Sequence, residues 1–142
     1  MRFSKAIRHG DFDPARRQVV LSAGDVDDEG VKDPYLAIVG GTYYIFVHYA
    51  PRFRQSLNAT QEELHGTGNI FATEPGKGST GIATSLDGVN FEWQGELLPP
   101  GDSWDSKLTR VDTMAYVPPG FTVLYGGRSG IEETYEGSTG IA

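Results

Sequence analysis

The five residues Ser79-Thr80-Gly81-Ile82-Ala83 return letter for letter as Ser138-Thr139-Gly140-Ile141-Ala142. A longer pattern repeats with them. Asp33 to Tyr49 reads DPYLAIVGGTYYIFVHY, and Asp112 to Gly127 reads DTMAYVPPGFTVLYGG. Each segment opens with an acid, runs apolar, breaks at a glycine and resumes as an apolar and aromatic run. Gly41 and Gly120 lie at the same offset from Asp33 and Asp112, and Ile45-Phe46 falls on Leu124-Tyr125. Such a repeat constrains the fold strongly, because each unit must be one supersecondary element stacked on its copy. The two spacings differ, 79 residues between the acids and 59 between the STGIA copies, mainly because the first unit carries an insertion over residues 51–78.

The repeated unit reads as strands. Gly40-Gly41 separates two runs of strand length, and glycine accepts the positive φ of a tight hairpin turn. Tyr43 to Val47 do not alternate with polar residues, which predicts a strand covered on both faces. Gln18 to Ser22 and Gly81 to Ser85 are further strand candidates. Leu86-Asp87-Gly88 reads as a turn and Asn90 to Trp93 as a strand with an aromatic anchor. With 19 glycines, 8 prolines and few helical patterns, the chain is expected to be all-β. Units of three to four short strands with turn glycines and aromatics point to β-propeller blades of four-stranded antiparallel sheets. The blade units span about 31–93 and 110–142, in a partial propeller domain over 18–142 that follows a polar lead-in over 1–17. Closure normally takes at least four blades. Two blades therefore imply a fragment of a longer frame, or an open assembly that self-associates through its sheet edges.

Composition excludes several partners. The net charge of −7 makes nucleic acid a poor ligand, since phosphate binding needs a basic footprint. No basic amphipathic helix or long apolar span suggests a membrane. Without cysteine there is neither a disulfide nor thiolate chemistry. MRFSKAIRHGDFDP lacks the apolar core of a signal peptide, which leaves the compartment open between the cytoplasm and a start further upstream. Four motif-like features fail on inspection. GDVDDEG places Asp25, Asp27, Glu29 and Gly30 like the start of a calcium loop, but the twelfth position is Leu36 where a glutamate is needed. GKGST has Gly78 where a phosphate loop needs Ser or Thr after its lysine. His65 has no ligand partners at metal spacing, and the Asn58-Ala59-Thr60 sequon stands alone. Thr60-Gln61-Glu62-Glu63 has capping-box spacing and predicts a turn or two of helix in the insertion. No metal and no cofactor are expected.

Lys32-Asp33-Pro34-Tyr35 with GGTYYIFV, the run GIATSLDGVNFEW, and Arg110-Val111-Asp112 carry a resemblance. Over about residues 18–142 the chain resembles the five-bladed β-propeller superfamily of glycoside hydrolase families 43 and 32, with their arabinanases, levansucrases and invertases. The resemblance implies about two of five blades and a carbohydrate substrate. It implies that Asp33, at the head of the first inner strand, is the general base or nucleophile. Asp112 is the counterpart of an acid that holds substrate hydroxyls or tunes the general acid. It departs from the family's Arg-Asp-Pro, with Val111 inserted and Thr113 in place of proline. The family's general acid is a glutamate on a later blade, and Glu132, Glu133 and Glu136 do not match its motif. On its own, Asp33 reads equally as a turn former.

Glycoside cleavage needs two carboxyl groups, one to protonate the leaving oxygen and one to attack or activate water. Inner strands that line a shared channel would bring repeat-related acids together. Arg110, Tyr35, Trp104 and Tyr116 are the candidate substrate-binding residues, the aromatics as stacking surfaces for sugar rings or, as aromatics far more often serve, as core packing. The alternatives are a carbohydrate-binding or scaffold propeller without catalysis, and an inactive truncated product.

Overall fold

The computed structural model describes residue 15 and residues 17–26, 30–50, 77–130 and 137–142. Seven strands lie among them: β1 (Gly30–Val39), β2 (Thr42–Ala50), β3 (Ser79–Ser85), β4 (Glu92–Leu98), β5 (Leu108–Val117), β6 (Gly120–Arg128) and β7 (Ser138–Ile141). They form a four-stranded antiparallel sheet in the order β1-β2-β3-β4 and a three-stranded one in the order β5-β6-β7. The chain is all-β, and the two sheets have the organisation of partial propeller blades. The insertion's capping box, His65 and Asn58 lie outside the described residues.

The first hairpin turns on Gly40 and Gly41, whose φ values of 60° and 87° suit a primed two-residue turn. The second turns on Pro118-Pro119, a cis pair, and Gly120 already belongs to β6. This corrects the alignment of the two hairpins on Gly41 and Gly120 by one residue. Phe46 opposes Ile82, and Leu124 opposes Ile141. With the STGIA copies superposed, Phe46 therefore corresponds to Leu124 and not to Tyr125. The acids slip with it: Asp33 corresponds to Val111, and Asp112 to Pro34. Both sheets carry a bulge at this point, between Lys32 and Tyr35 in β1 and between Val111 and Thr113 in β5. A bulge sets two residues against one, so an acid occupies it in either sheet, at its first place in β1 and its second in β5.

Residues opposite one another across a ladder share a face, and successive residues alternate. One face of the first sheet, here its leading face, carries Tyr35, Tyr44, Phe46, His48, Thr80 and Ile82. It packs on the trailing face of the second sheet, with Val111, Met114, Tyr116, Phe121 and Val123. An apolar cavity of about 380 Å³ lies between Phe46, Ile82, Leu98, Val111, Met114 and Val123. Ile45 to Ala50 are buried in an unbroken run, as expected for a central strand covered on both sides, while Tyr43 and Tyr44 are half-buried.

Hydrogen bonds fasten the two sheets. The Thr80 hydroxyl, fully buried, donates to the Thr109 carbonyl at 3.2 Å and accepts the Val111 N–H at 3.2 Å. The Thr109 hydroxyl donates to the Leu98 carbonyl at 2.6 Å. Gly78 N–H donates to the Lys107 carbonyl and its own carbonyl accepts from Thr109 N–H, both at 3.0 Å. The GKGST stretch thus leads into β3 and ties it to β5.

The glycine of each STGIA copy seats a tryptophan. A Cβ on Gly81 would run into the Trp93 ring, and one on Gly140 would lie 2.7 Å from the Trp104 ring. Trp93 comes from β4 of the same sheet, whereas Trp104 comes from the link between β4 and β5. Trp93 packs edge-on to Tyr49 at 5.2 Å, and Trp104 stacks on Tyr125 at 5.5 Å.

Two strand boundaries differ from expectation. Gln18 to Ser22 is not a strand: Val19 is 80% exposed with nothing to bury it, and Ser22 enters a turn in which its N–H and hydroxyl both donate to Asp25. That turn also accounts for Asp25 in the acidic loop. β4 begins at Glu92 and runs through Leu97-Leu98. Before it, Asp87 organises the turn by accepting from the N–H groups of Val89 and Asn90 and from the Asn90 amide.

The repeat supplies an internal control. Thr80→Val removes one buried donor and one acceptor and is expected to cost about 1–3 kcal/mol. The same change at Thr139, which is exposed, should leave stability within about 0.5 kcal/mol. Urea unfolding of the two variants at low protein concentration compares them directly.

Candidate functional site

β1 and β5 are the edge strands at corresponding sides of the two sheets, and each offers its bulge acid at that edge. Arg110, one residue before the bulge in β5, reaches both. Its Nε and Nη2 donate to Asp112 Oδ1 at 3.0 and 2.8 Å. Its Nη1 lies 3.7 Å from Asp33 Oδ2. The two aspartates and the arginine singled out in the sequence therefore meet at one guanidinium. All three side chains are 37–44% exposed. Ion pairs so open to water contribute little to stability, so the contact positions the groups more than it holds the fold together.

Asp33 does not head the strand, as the sequence suggested, but lies inside it. Its φ is 53°, where a residue before proline is expected to be extended. Aspartate is among the few residues that tolerate this left-handed conformation. Pro34 fits because β1 is an edge strand, where a missing N–H breaks no ladder. Bulges re-aim side chains. Here the bulge delivers the carboxylate to the edge shared with β5.

Two neighbours were not among the sequence candidates. His48 opposes Lys32 on β2, is 2% exposed, and places Nδ1 4.0 Å from Asp33 Oδ2, too far for a hydrogen bond. Burial first, and then the charges of Lys32, Arg110 and Arg128, lower its pKa to about 3. At neutral pH it is an uncharged imidazole and forms no ion pair with Asp33. The corresponding place in the second sheet is Gly126, opposite Arg110. A Cβ there would lie 3.0 Å from Asp112 Oδ2. The carboxylate thus lies where a side chain at 126 would begin. Nothing in the letters marks either residue, since His48 reads as part of an apolar run and Gly126 as half of a Gly-Gly pair. Their roles follow from the ladder register.

The aromatic candidates are dispersed. The Tyr35 hydroxyl donates to the Met114 carbonyl at 3.4 Å and its ring lies 6.3 Å from Phe46, which ties it to the contact between sheets. Trp104 stacks on Tyr125 over Gly127 and Gly140. Tyr116 is exposed, packs on Phe121 at 5.1 Å, and lies four residues along β5 from Asp112, about 13 Å at strand spacing. Among the described residues, no group of three or more His, Asp or Glu is placed to hold a metal ion. Glu92 and Glu96 are on β4, at the opposite edge of the sheet from Asp33. Glu132, Glu133 and Glu136 lie outside the described residues.

No family model matches the chain, and no curated protein matches it. Two solved structures are similar to it, one named as a glycoside hydrolase and the other as a complex of BT0996 and RGII. Each is 18% identical with a TM-score of 0.49, and the match covers 79% of this chain and 26% of the other. The chain thus spans about a quarter of the length of the structures it matches.

The buried imidazole gives the fold a pH dependence with a definite sign. An unfolded His48 takes up a proton near pH 6.5, whereas the folded one resists until about pH 3. Between these values the unfolded state binds more protons, so stability falls as pH drops through that window. Replacing His48 with Gln should flatten this dependence. Urea midpoints between pH 7 and pH 4 measure the slope in both proteins.

Proposed function

We propose that the chain carries the carboxylate side of a glycoside hydrolase site acting on a polysaccharide or oligosaccharide. The observation that supports this is the convergence of Asp33 and Asp112, from bulges on two different sheets, at the Arg110 guanidinium.

The contacts divide the roles. Asp112 is held by two hydrogen bonds from Arg110, which fixes its oxygens and suits it to holding substrate hydroxyls. Asp33 makes the longer contact, keeps oxygen lone pairs available at an accessible edge, and is aimed by its bulge. It is the group that attacks the anomeric carbon or takes a proton from the attacking water. The neutral His48 beside it adds no competing charge. The second carboxyl group, the proton donor to the leaving oxygen, is not assigned among the described residues.

A second reading, carbohydrate binding without hydrolysis, is favoured by one observation: the glutamates on β4 lie at the far edge of the sheet from Asp33. One variant separates the two. Asp33→Asn keeps the size and the left-handed tolerance of the side chain but removes its charge. Hydrolysis of an aryl glycoside panel is expected to fall by about a hundredfold or more, with binding of the matching oligosaccharide retained by calorimetry. Unchanged turnover would remove Asp33 from catalysis. A wild-type chain that binds a glycan but turns over no member of the panel would favour the binding reading.

A further inference from the structure

The contact between the two sheets is built from faces that each occur twice in this chain and are used once. In the contact, Phe46, Thr80 and Ile82 of the first sheet's leading face meet Val111, Met114, Phe121 and Val123 of the second sheet's trailing face. The ladder register gives part of each face an exposed counterpart, while the places of Phe121 and Val123 fall on the half-buried Tyr43 and the buried Ile45. Leu124, Thr139 and Ile141 on the second sheet's leading face correspond to Phe46, Thr80 and Ile82. Leu36 and Ile38 on the first sheet's trailing face correspond to Met114 and Tyr116. Four of these apolar counterparts are in solvent: Leu124 is 39% exposed, Ile141 69%, Leu36 51% and Ile38 57%. The trailing faces are also prepared alike, with a tryptophan over the STGIA glycine in both, Trp93 on Gly81 and Trp104 on Gly140.

A leading face at one end of the molecule and a matching trailing face at the other are complementary to each other and not to themselves. We propose that the chain associates head to tail with further copies of itself. In this contact the Leu124–Ile141 face of one copy packs on the Leu36–Ile38 face of the next and repeats part of the contact made within the chain. Such a heterologous contact either closes into a ring or propagates. Two copies would bring four sheets together and three copies six, both within the range of about four to eight over which propellers close. Thr139 would then take the place of Thr80 and bond to the β5-like strand of its neighbour, here β1. The proposal rests on the repeat and its exposed faces, independently of the catalytic reading.

Charged substitutions at the exposed positions test it without touching the core. Leu36→Lys combined with Ile38→Lys blocks the trailing face, and Leu124→Lys combined with Ile141→Lys blocks the leading face. Far-UV circular dichroism and the urea midpoint of dilute protein establish that each variant folds. In sedimentation velocity, the wild-type chain is expected to rise in mass with concentration to two or three times 15.4 kDa. Each variant alone should remain a monomer. Mixed in equal amounts, the two variants should form a one-to-one dimer, because each keeps the face that the other lacks. A wild-type chain monomeric to millimolar concentration would overturn the proposal. So would a mixture that stays monomeric, or a dimer abolished by one double variant and unaffected by the other.

Discussion

The Thr80 hydroxyl is the point on which the relation between the two sheets depends. It is buried where β3 meets β5 and satisfies a carbonyl and an N–H of the neighbouring strand at once. Apolar packing alone is tolerant of sliding, because it has no direction. Two hydrogen bonds from one buried oxygen fix both the separation and the axial position of the sheets. The Gly78 bonds beside it and the Thr109 bond to Leu98 extend this seam across three strands. The position of Arg110 relative to Asp33 is inherited from this seam, since Arg110 follows Thr109 directly in β5.

The site is a product of register more than of residue type. Asp33 and Asp112 come from the same bulge of the repeated unit but from its two different places. One slip of a residue lets the acids approach the guanidinium from different sheets. In the second sheet Gly126 leaves the space for the Asp112 carboxylate; in the first the same place holds a buried imidazole. Divergence between the copies has made one copy a scaffold for a histidine and the other a seat for an arginine–carboxylate pair.

Much of this was legible in the letters. The STGIA repeat, the Gly40-Gly41 turn and the unbroken apolar run of β2 each report a local physical requirement, and each reappears as a strand or a turn. Asp33, Arg110 and Asp112 were recognisable as a set. What the letters hid was non-local. A one-residue offset between two similar hairpins cannot be read from matching glycines when one turn uses Gly40-Gly41 and the other Pro118-Pro119. QVVLS has strand composition, but Gln18 to Ser22 joins neither sheet. Tyr35 and Trp104 look the same in sequence whether they face a sugar or a neighbouring sheet, and here their rings pack against Phe46 and Tyr125.

The left-handed backbone at Asp33 bears on how this position can change over time. Only asparagine, aspartate and glycine enter that region at small cost. Drift there is thus channelled toward amide or hydrogen in place of the acid, and bulky or branched replacements are screened out by the main chain itself. A descendant that lost its charge by such a step would keep the bulge, the edge and the neighbouring arginine intact. A lineage could then shed the carboxylate through a single exchange, with no structural barrier between the charged and the uncharged form.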